Sequence, residues 1–278
     1  MATIDIPLLT VNPTQPHTHT VVFLHGRGDN AHQFAASLAA SRDSRSRTLA
    51  EAFPSFRWVF PQAPSRELAS APGTVWPQWF DVWDVRDFAS REALQAVGLR
   101  EVLPALTRVL AGEAAALGGR WDRVVLAGIS MGAATGVHLL FNLDVPGRLA
   151  AFVGFSCRCP FAGRDLAGMR AAVALVGGGA AGREERVIWD TPALLEHCAD
   201  DPLVLVQDGR RLRDTLRGFG MRQVEWREYP SGGHWFNSPQ GIDDAVEFLT
   251  KYVVGEGNVA DGAGLTGFQG MDDAMRFE

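Results

Sequence analysis

The strongest constraint on this chain is local. Arg123 to Phe141, RVVLAGISMGAATGVHLLF, runs from an apolar stretch (Val124 to Ala127) through Gly128-Ile129-Ser130-Met131-Gly132 into a small-residue segment with helical apolar spacing. That is a strand, a sharp turn and a helix, the context in which a G-x-S-x-G match has structural meaning. A serine at the apex of such a turn sits in strained backbone with its hydroxyl raised above the sheet. The positions two before and two after must then be nearly free of side chain for strand and helix to pack. Gly128 and Gly132 meet that demand. The match also has a plain reading, a glycine-rich connection with an incidental serine, because the chain holds 30 glycines. The two readings separate on whether a base, an acid and an anion-binding loop occur elsewhere.

Along the rest of the chain, Val21 to Leu24 is a continuous apolar run of the kind buried on both faces of a parallel sheet. It ends in His25-Gly26-Arg27-Gly28-Asp29-Asn30, where Asp29 or Asn30 can cap a following helix. That helix has Phe34, Leu38, Leu49 and Phe53 on one side and a polar SRDSRSR interruption. Arg57 to Phe60 predicts a short strand. A long loop to about Ser90 then carries Trp76, Trp79, Phe80, Asp81 and Trp83, which read either as a binding wall or as aromatics closing one end of the core. A helix is expected over Arg91 to Leu117, its buried stripe including Leu94, Val97, Leu99, Val102, Leu103, Leu106, Val109 and Leu110. Further strands are expected at Arg148 to Ser156, Pro192 to His197 and Gln223 to Tyr229. Further helices are expected at Asp165 to Val176, Leu203 to Phe219 and Ile242 to Tyr252. The glycine-rich stretch from Gly177 and the charged residues after it read as a surface insertion extending to Asp190. Strands alternating with helices predict an α/β fold, a doubly wound, mostly parallel sheet with helices on both faces. Residues 1–254 read as one domain. Residues 255–278 form a Gly- and acid-rich tail, either disordered or docked through Leu265, Phe268, Met271, Met275 and Phe277.

Composition excludes several classes. A net charge of -6 offers no basic field for a phosphate backbone, so nucleic acid is not an expected partner. No window approaches the ~18 apolar residues of a membrane span, and the N-terminus lacks the charged and apolar regions of a signal peptide. Three cysteines, Cys157, Cys159 and Cys198, make no disulfide framework and favour a reducing, cytoplasmic setting. Cys157-Arg158-Cys159 lacks zinc-ligand spacing, so buried thiols are expected there rather than a metal. No cofactor is called for.

A serine hydroxyl becomes a useful nucleophile only beside a base, and the base works best with a carboxylate fixing its tautomer. In a doubly wound hydrolase the order is Ser, acid, His, each on a loop after a strand. Of seven histidines, only His197 and His234 follow Ser130 outside its own helix. His234 lies in Pro230-Ser231-Gly232-Gly233-His234, just past a strand, while His197 ends a strand with Asp200 and Asp201 close behind. Asp201 as acid and His234 as base satisfy the order. The oxyanion hole would take the backbone N–H of Met131, next to the serine, and that of Arg27 in the loop after the first strand. That loop also reads G-x-G-x-x-A, a dinucleotide pattern, but the next strand ends in Pro61-Gln62 without the acidic residue a ribose needs. The tripeptide Arg27-Gly28-Asp29 is read as chance.

HGRGDN, FPQAP, WFD, GISMG, HCADDPLV and GGHWF, in this order and over about Thr20 to Val253, resemble the phospholipase/carboxylesterase family, whose best-known members are acyl-protein thioesterases. The resemblance implies an α/β-hydrolase fold without a large cap domain, the triad Ser130, Asp201 and His234, and oxyanion donors at Arg27 and Met131. It also implies hydrolysis of carboxyl esters or thioesters on a small molecule or an acylated protein, including acyl chains on protein cysteines or lysophospholipids. Members usually carry Leu at Arg27, Gln at Met131 and His-Gly at His197-Cys198, departures that bear on substrate. Trp76, Trp79, Phe80 and Trp83 are expected to form an apolar wall near the acyl group. Two other readings stand beside this one: a biosynthetic acyl-transfer or small-ester enzyme with the same triad, and a catalytically silent binding protein on a hydrolase scaffold.

Overall fold

A computed structural model describes residues 4–175 and 185–255. Its central sheet has seven strands in the order β1-β3-β2-β6-β7-β8-β9: β1 (Leu8–Val11), β2 (His19–Leu24), β3 (Phe56–Pro61), β6 (Val124–Ile129), β7 (Ala151–Phe155), β8 (Ala193–Cys198) and β9 (Val224–Tyr229). Only β1 is antiparallel to its neighbour. A separate antiparallel hairpin, β4 (Ser65–Leu68) and β5 (Ala71–Pro77), stands off the main sheet.

The expected burial on both faces follows from side-chain alternation. On β2, Val21 and Phe23 pack with α1 (Ala31–Ala40), α2 (Leu49–Ala52) and α8 (Gln240–Leu249). Val22 and Leu24 point the other way, into the core under α3 (Ala93–Ala116), α4 (Met131–Asn142), α5 (Leu166–Val173), α6 (Arg186–Asp190) and α7 (Val206–Gly218). Strands covered on both faces need no polar side, which is why these runs are uniformly apolar. Phe23 anchors one core, edge-on to Phe34 at 5.0 Å and Phe236 at 6.0 Å and near-parallel to Phe155 at 5.9 Å. Phe236 follows His234 closely in sequence, so this aromatic cluster ties the histidine loop to the sheet.

Several expectations are corrected. The helix expected to carry Phe34 through Phe53 is two helices, because Asp43 folds the polar interruption into a turn. Its Oδ1 accepts the N–H groups of Arg45 and Arg47 at 3.0 and 2.7 Å, and its Oδ2 accepts Arg47 Nε at 2.9 Å. Thr48 then caps α2 in a reciprocal bond with Glu51. Val97, expected in the buried stripe of α3, is 57% exposed, and Gly98 takes the inner position because a Cβ there would lie 2.5 Å from the Phe80 Cα. The long loop before α3 contains the β4–β5 hairpin, and β1 adds an edge strand. The helix expected from Leu203 begins at Val206, after a turn around Asp201. The glycine-rich stretch and the tail beyond 255 lie outside the described residues, apart from α6 at the end of the former.

Candidate active site

β6 delivers Ser130 to the carboxyl edge of the sheet with φ 53° and ψ -123°, a region a non-glycine residue holds only when its surroundings force it, at about 1–3 kcal/mol. The forcing contacts are visible. The Ser130 N–H donates to the Phe155 carbonyl at 2.9 Å on the neighbouring strand, and the Ser130 carbonyl accepts from Ala134 N at 2.9 Å in α4. A Cβ on Gly128 would fall 2.5 Å from Ala133 N, and one on Gly132 would fall against the carbonyl oxygens of Leu24 and His25. Both flanking glycines are therefore required by close backbone approach. Although Ser130 occupies the N-cap position of α4, its side chain makes no capping bond, so the hydroxyl is not committed to the helix. As the first helical residue, Met131 has an N–H without an intrahelical acceptor.

The acid and base loops leave the sheet side by side, because β8 and β9 are paired up to Cys198 and Tyr229. Asp201 Oδ2 lies 2.7 Å from His234 Nδ1, and Asp201 Oδ1 accepts the Leu203 and Val204 N–H groups at 2.9 and 3.0 Å. Burial raises the Asp201 carboxyl, but hydrogen bonds from His197, His234 and the Val204 amide outweigh it and hold the group well below the usual carboxylate range. An ionised Asp201 accepts only, so His234 donates through Nδ1 and its Nε2 is left as a base.

His197, the other candidate base, lies behind the acid. Its side chain is 1% exposed, with Nε2 at 2.8 Å from the Val204 carbonyl and 3.4 Å from Asp201 Oδ2. Asp200 points away and accepts the Gly232 and Gly233 N–H groups at 3.2 and 2.8 Å, clamping the histidine loop. The two adjacent aspartates thus have separate tasks, which the sequence alone does not divide.

On the other side of Ser130 the loop after β2 is fixed by His25, which precedes Ser130 in the chain and so has no place in the order Ser, acid, His. His25 Nε2 accepts the Ala63 N–H at 3.0 Å, so the ring proton is on Nδ1 and is donated to the Gly26 carbonyl at 2.7 Å. Burial lowers the affinity of His25 for a second proton, which keeps this arrangement neutral. Trp79 Nε1 donates to the His25 carbonyl at 2.8 Å, and Arg27 Nε donates to Gln78 Oε1 at 2.9 Å.

Ser130, Met131, His234, Gly26 and Arg27 line one cavity of about 440 Å³, together with Val82, Val85, Phe88, Leu203, Val204 and Trp235. Of the four aromatics expected as a wall, Trp76 lines it, with the Arg27 guanidinium 4.9 Å from its ring centre. Trp79 and Phe80 are wholly buried in the core beneath α3, and Trp83 is covered by Arg91 at 3.6 Å. Large apolar rings in a loop are as readily drawn into the interior as set around a ligand. Arg158 also lines the cavity, a residue the sequence pattern did not single out. Its one signal was a lone cation in the apolar strand-end run Phe155-Ser156-Cys157-Arg158-Cys159-Pro160.

A mostly parallel sheet of this order, with a serine on a strained strand-to-helix turn and a histidine–carboxylate pair on the last two strand-end loops, defines an α/β-hydrolase. The chain belongs to the phospholipase/carboxylesterase family, whose model matches residues 8–175, and it is a hydrolase of ester bonds. Acyl-protein thioesterase 1 of Cryptococcus neoformans var. neoformans is 26% identical over 255 residues, covering 87% of this chain and 96% of that protein. Acyl-protein thioesterase 1 of Schizosaccharomyces pombe is 30% identical over 194 residues, covering 70% of this chain and 73% of its own length. Among solved structures, Zea mays acyl-protein thioesterase 2 superposes with a TM-score of 0.66 at 27% identity, covering 89% of this chain and 99% of that one.

Proposed function

We propose that Ser130, His234 and Asp201 form the catalytic triad and that the substrates are acyl esters and thioesters, including acyl groups on protein cysteines. The observation that carries this is the 2.7 Å contact between His234 Nδ1 and Asp201 beside a strained, uncapped serine on the same cavity. Ser130 Oγ attacks the acyl carbon while His234 Nε2 takes its proton. The oxyanion that forms is held by the backbone N–H groups of Met131 and Arg27. His234 returns the proton to the departing thiol or alcohol, leaving an acyl-enzyme. Water then attacks, gives a proton to His234, and the serine leaves with that proton as the acid is released. Thioesters on proteins are favoured because the relatives are acyl-protein thioesterases and the cavity wall is mainly apolar. The three buried free thiols fit a cytoplasmic enzyme. Among the described residues no helix is long and apolar enough to cross a membrane.

A fluorophosphonate probe should label the wild type at Ser130 and leave Ser130→Ala unlabelled. Equal labelling of the two proteins rejects the nucleophile.

A further inference from the structure

Arg158 follows β7 at the carboxyl edge of the sheet. It is 7% exposed, and it lines the cavity shared by Ser130 and His234. A guanidinium carries five N–H donors in a rigid fork. One, on Nη2, goes to Gln95 Oε1 at 2.7 Å, and the flat face rests on Phe88 at 3.9 Å. No carboxylate among the described residues lies within 4.0 Å of it; Glu92 and Asp208 act on it from further away. The flanking thiols do not offset the charge: burial pushes Cys157 well above the usual thiol range and Cys159 to about 12, so both are neutral. Burial lowers Arg158 itself only to about 10, so it stays a cation at neutral pH.

A buried charge without a counter-ion is among the costliest features a fold can carry, and a ring contact with one amide oxygen offsets only part of that cost. The other charged groups on the cavity are less buried. Arg27, which bonds Gln78 and lies by Trp76, is partly exposed and has the Asp81 carboxylate acting on it. Asp29, also partly exposed, holds the Asn30 N–H through Oδ1 at 2.8 Å. Hydrolysis of an uncharged ester has no use for a cation in this position. A planar monoanion does fit, because a carboxylate takes two parallel N–H donors and matches a single positive charge. A phosphate dianion would leave negative charge against apolar walls.

We propose that Arg158 is a specificity-determining residue that binds a free carboxylate on the substrate, so that the preferred esters or thioesters carry such a carboxylate on the acyl part or on the leaving group. This rests on the assignment of Ser130 as nucleophile. The test compares matched pairs of esters on the full chain. One pair places the charge on the acyl part, as p-nitrophenyl hydrogen glutarate against its methyl ester. Another places it on the leaving group, as 4-carboxyphenyl hexanoate against its methyl ester. A p-nitrophenyl ester with a terminal phosphonate completes the set.

The wild type should favour the carboxylate in at least one pair by about 10- to 100-fold in kcat/KM, the range of a hydrogen-bonded charge contact. Arg158→Met should collapse that ratio through KM, and Arg158→Lys should restore part of it. Equal rates within both wild-type pairs overturn the proposal without recourse to any variant. A ratio that survives in Arg158→Met overturns it too, since a role confined to supporting Phe88 and Gln95 lowers both members of a pair together. Preference for the phosphonate overturns the carboxylate assignment. Loss of the nucleophile assignment would show separately, as hydrolysis of the neutral esters persisting in Ser130→Ala.

Discussion

Replacing Gly132 by Ala should damage stability and catalysis together. The added Cβ would stand 2.5 Å from the His25 carbonyl oxygen and also against the Leu24 carbonyl. That is about 1 Å inside the ~3.5 Å at which carbon-sized atoms attract. Both obstacles are backbone at the end of β2, so no rotamer change relieves them. The start of α4 and the loop after β2 must move apart by roughly that 1 Å. Overpacking of this kind costs about 1–3 kcal/mol, which for a chain of this size lowers the melting temperature by roughly 2–12 °C. The same displacement separates the Met131 amide, on α4, from the Arg27 amide, on the loop. A misplacement of about 1 Å, or loss of one oxyanion donor, reduces kcat by ~10²-fold or more. The assay is thermal unfolding by circular dichroism alongside kcat on a p-nitrophenyl ester at 25 °C, with active sites counted by fluorophosphonate titration. Gly112→Ala is the control. It lies on an exposed turn of α3 with nothing within 4 Å of the new Cβ, and it should gain about 0.5–1 kcal/mol. A Gly132→Ala protein that melts with the wild type and turns over within threefold of it refutes the reasoning.

Asp201→Asn should lower kcat by about 10⁴-fold, because the amide cannot hold His234 in the required tautomer. Asp200→Asn should cost only about tenfold, through a looser Gly232–Gly233 backbone; steady-state kinetics of the two variants in the opposite order would reassign the acid. Glu196→Gln should stabilise the fold above pH 5. Burial first, and the charge of Asp244 second, hold the Glu196 carboxyl protonated well above its ordinary value, so the unfolded chain loses that proton first as pH rises. Wild-type stability therefore falls with rising pH relative to the variant, by at most about 1.4 kcal/mol per pH unit, and the two converge below pH 4. Parallel urea midpoints from pH 4 to 8 would contradict this.

The central sheet was legible because strands buried on both faces are written as uninterrupted apolar runs. The serine turn was legible because only glycine fits its two flanks. β1 escaped notice because an edge strand of four residues, partly exposed, carries no such run. The β4–β5 hairpin is not legible because its pairing sets Ser65 against Pro77, Arg66 against Trp76 and Glu67 against Val75 and then shifts register at Leu68, with no alternation to read. The candidate acid and base followed from chain order, but what separates Asp200 from Asp201 is the direction each side chain takes after β8. Nothing in the letters records that direction. His25 precedes the serine and so falls outside the order Ser, acid, His; its work lies in the backbone it holds. Trp79 and Phe80 take the core-closing place and not the binding wall, a choice the sequence leaves open because ring size signals burial without saying against what. Gly98 held the missing clue, since a glycine inside a long helix often marks the passage of another segment.

That passage gives Gly98 a reach well beyond its own helix. The segment it admits, Phe80 and Trp79, ends in an indole N–H on the His25 carbonyl, one residue from the loop assigned to the oxyanion. A side chain added at Gly98 would therefore disturb turnover from a position that meets no substrate. A map of mutational tolerance drawn on this protein would show Gly98, among the buried leucines and valine of the inner face of α3, as intolerant of even a methyl group, linked to Ser130 by mechanical succession rather than by distance.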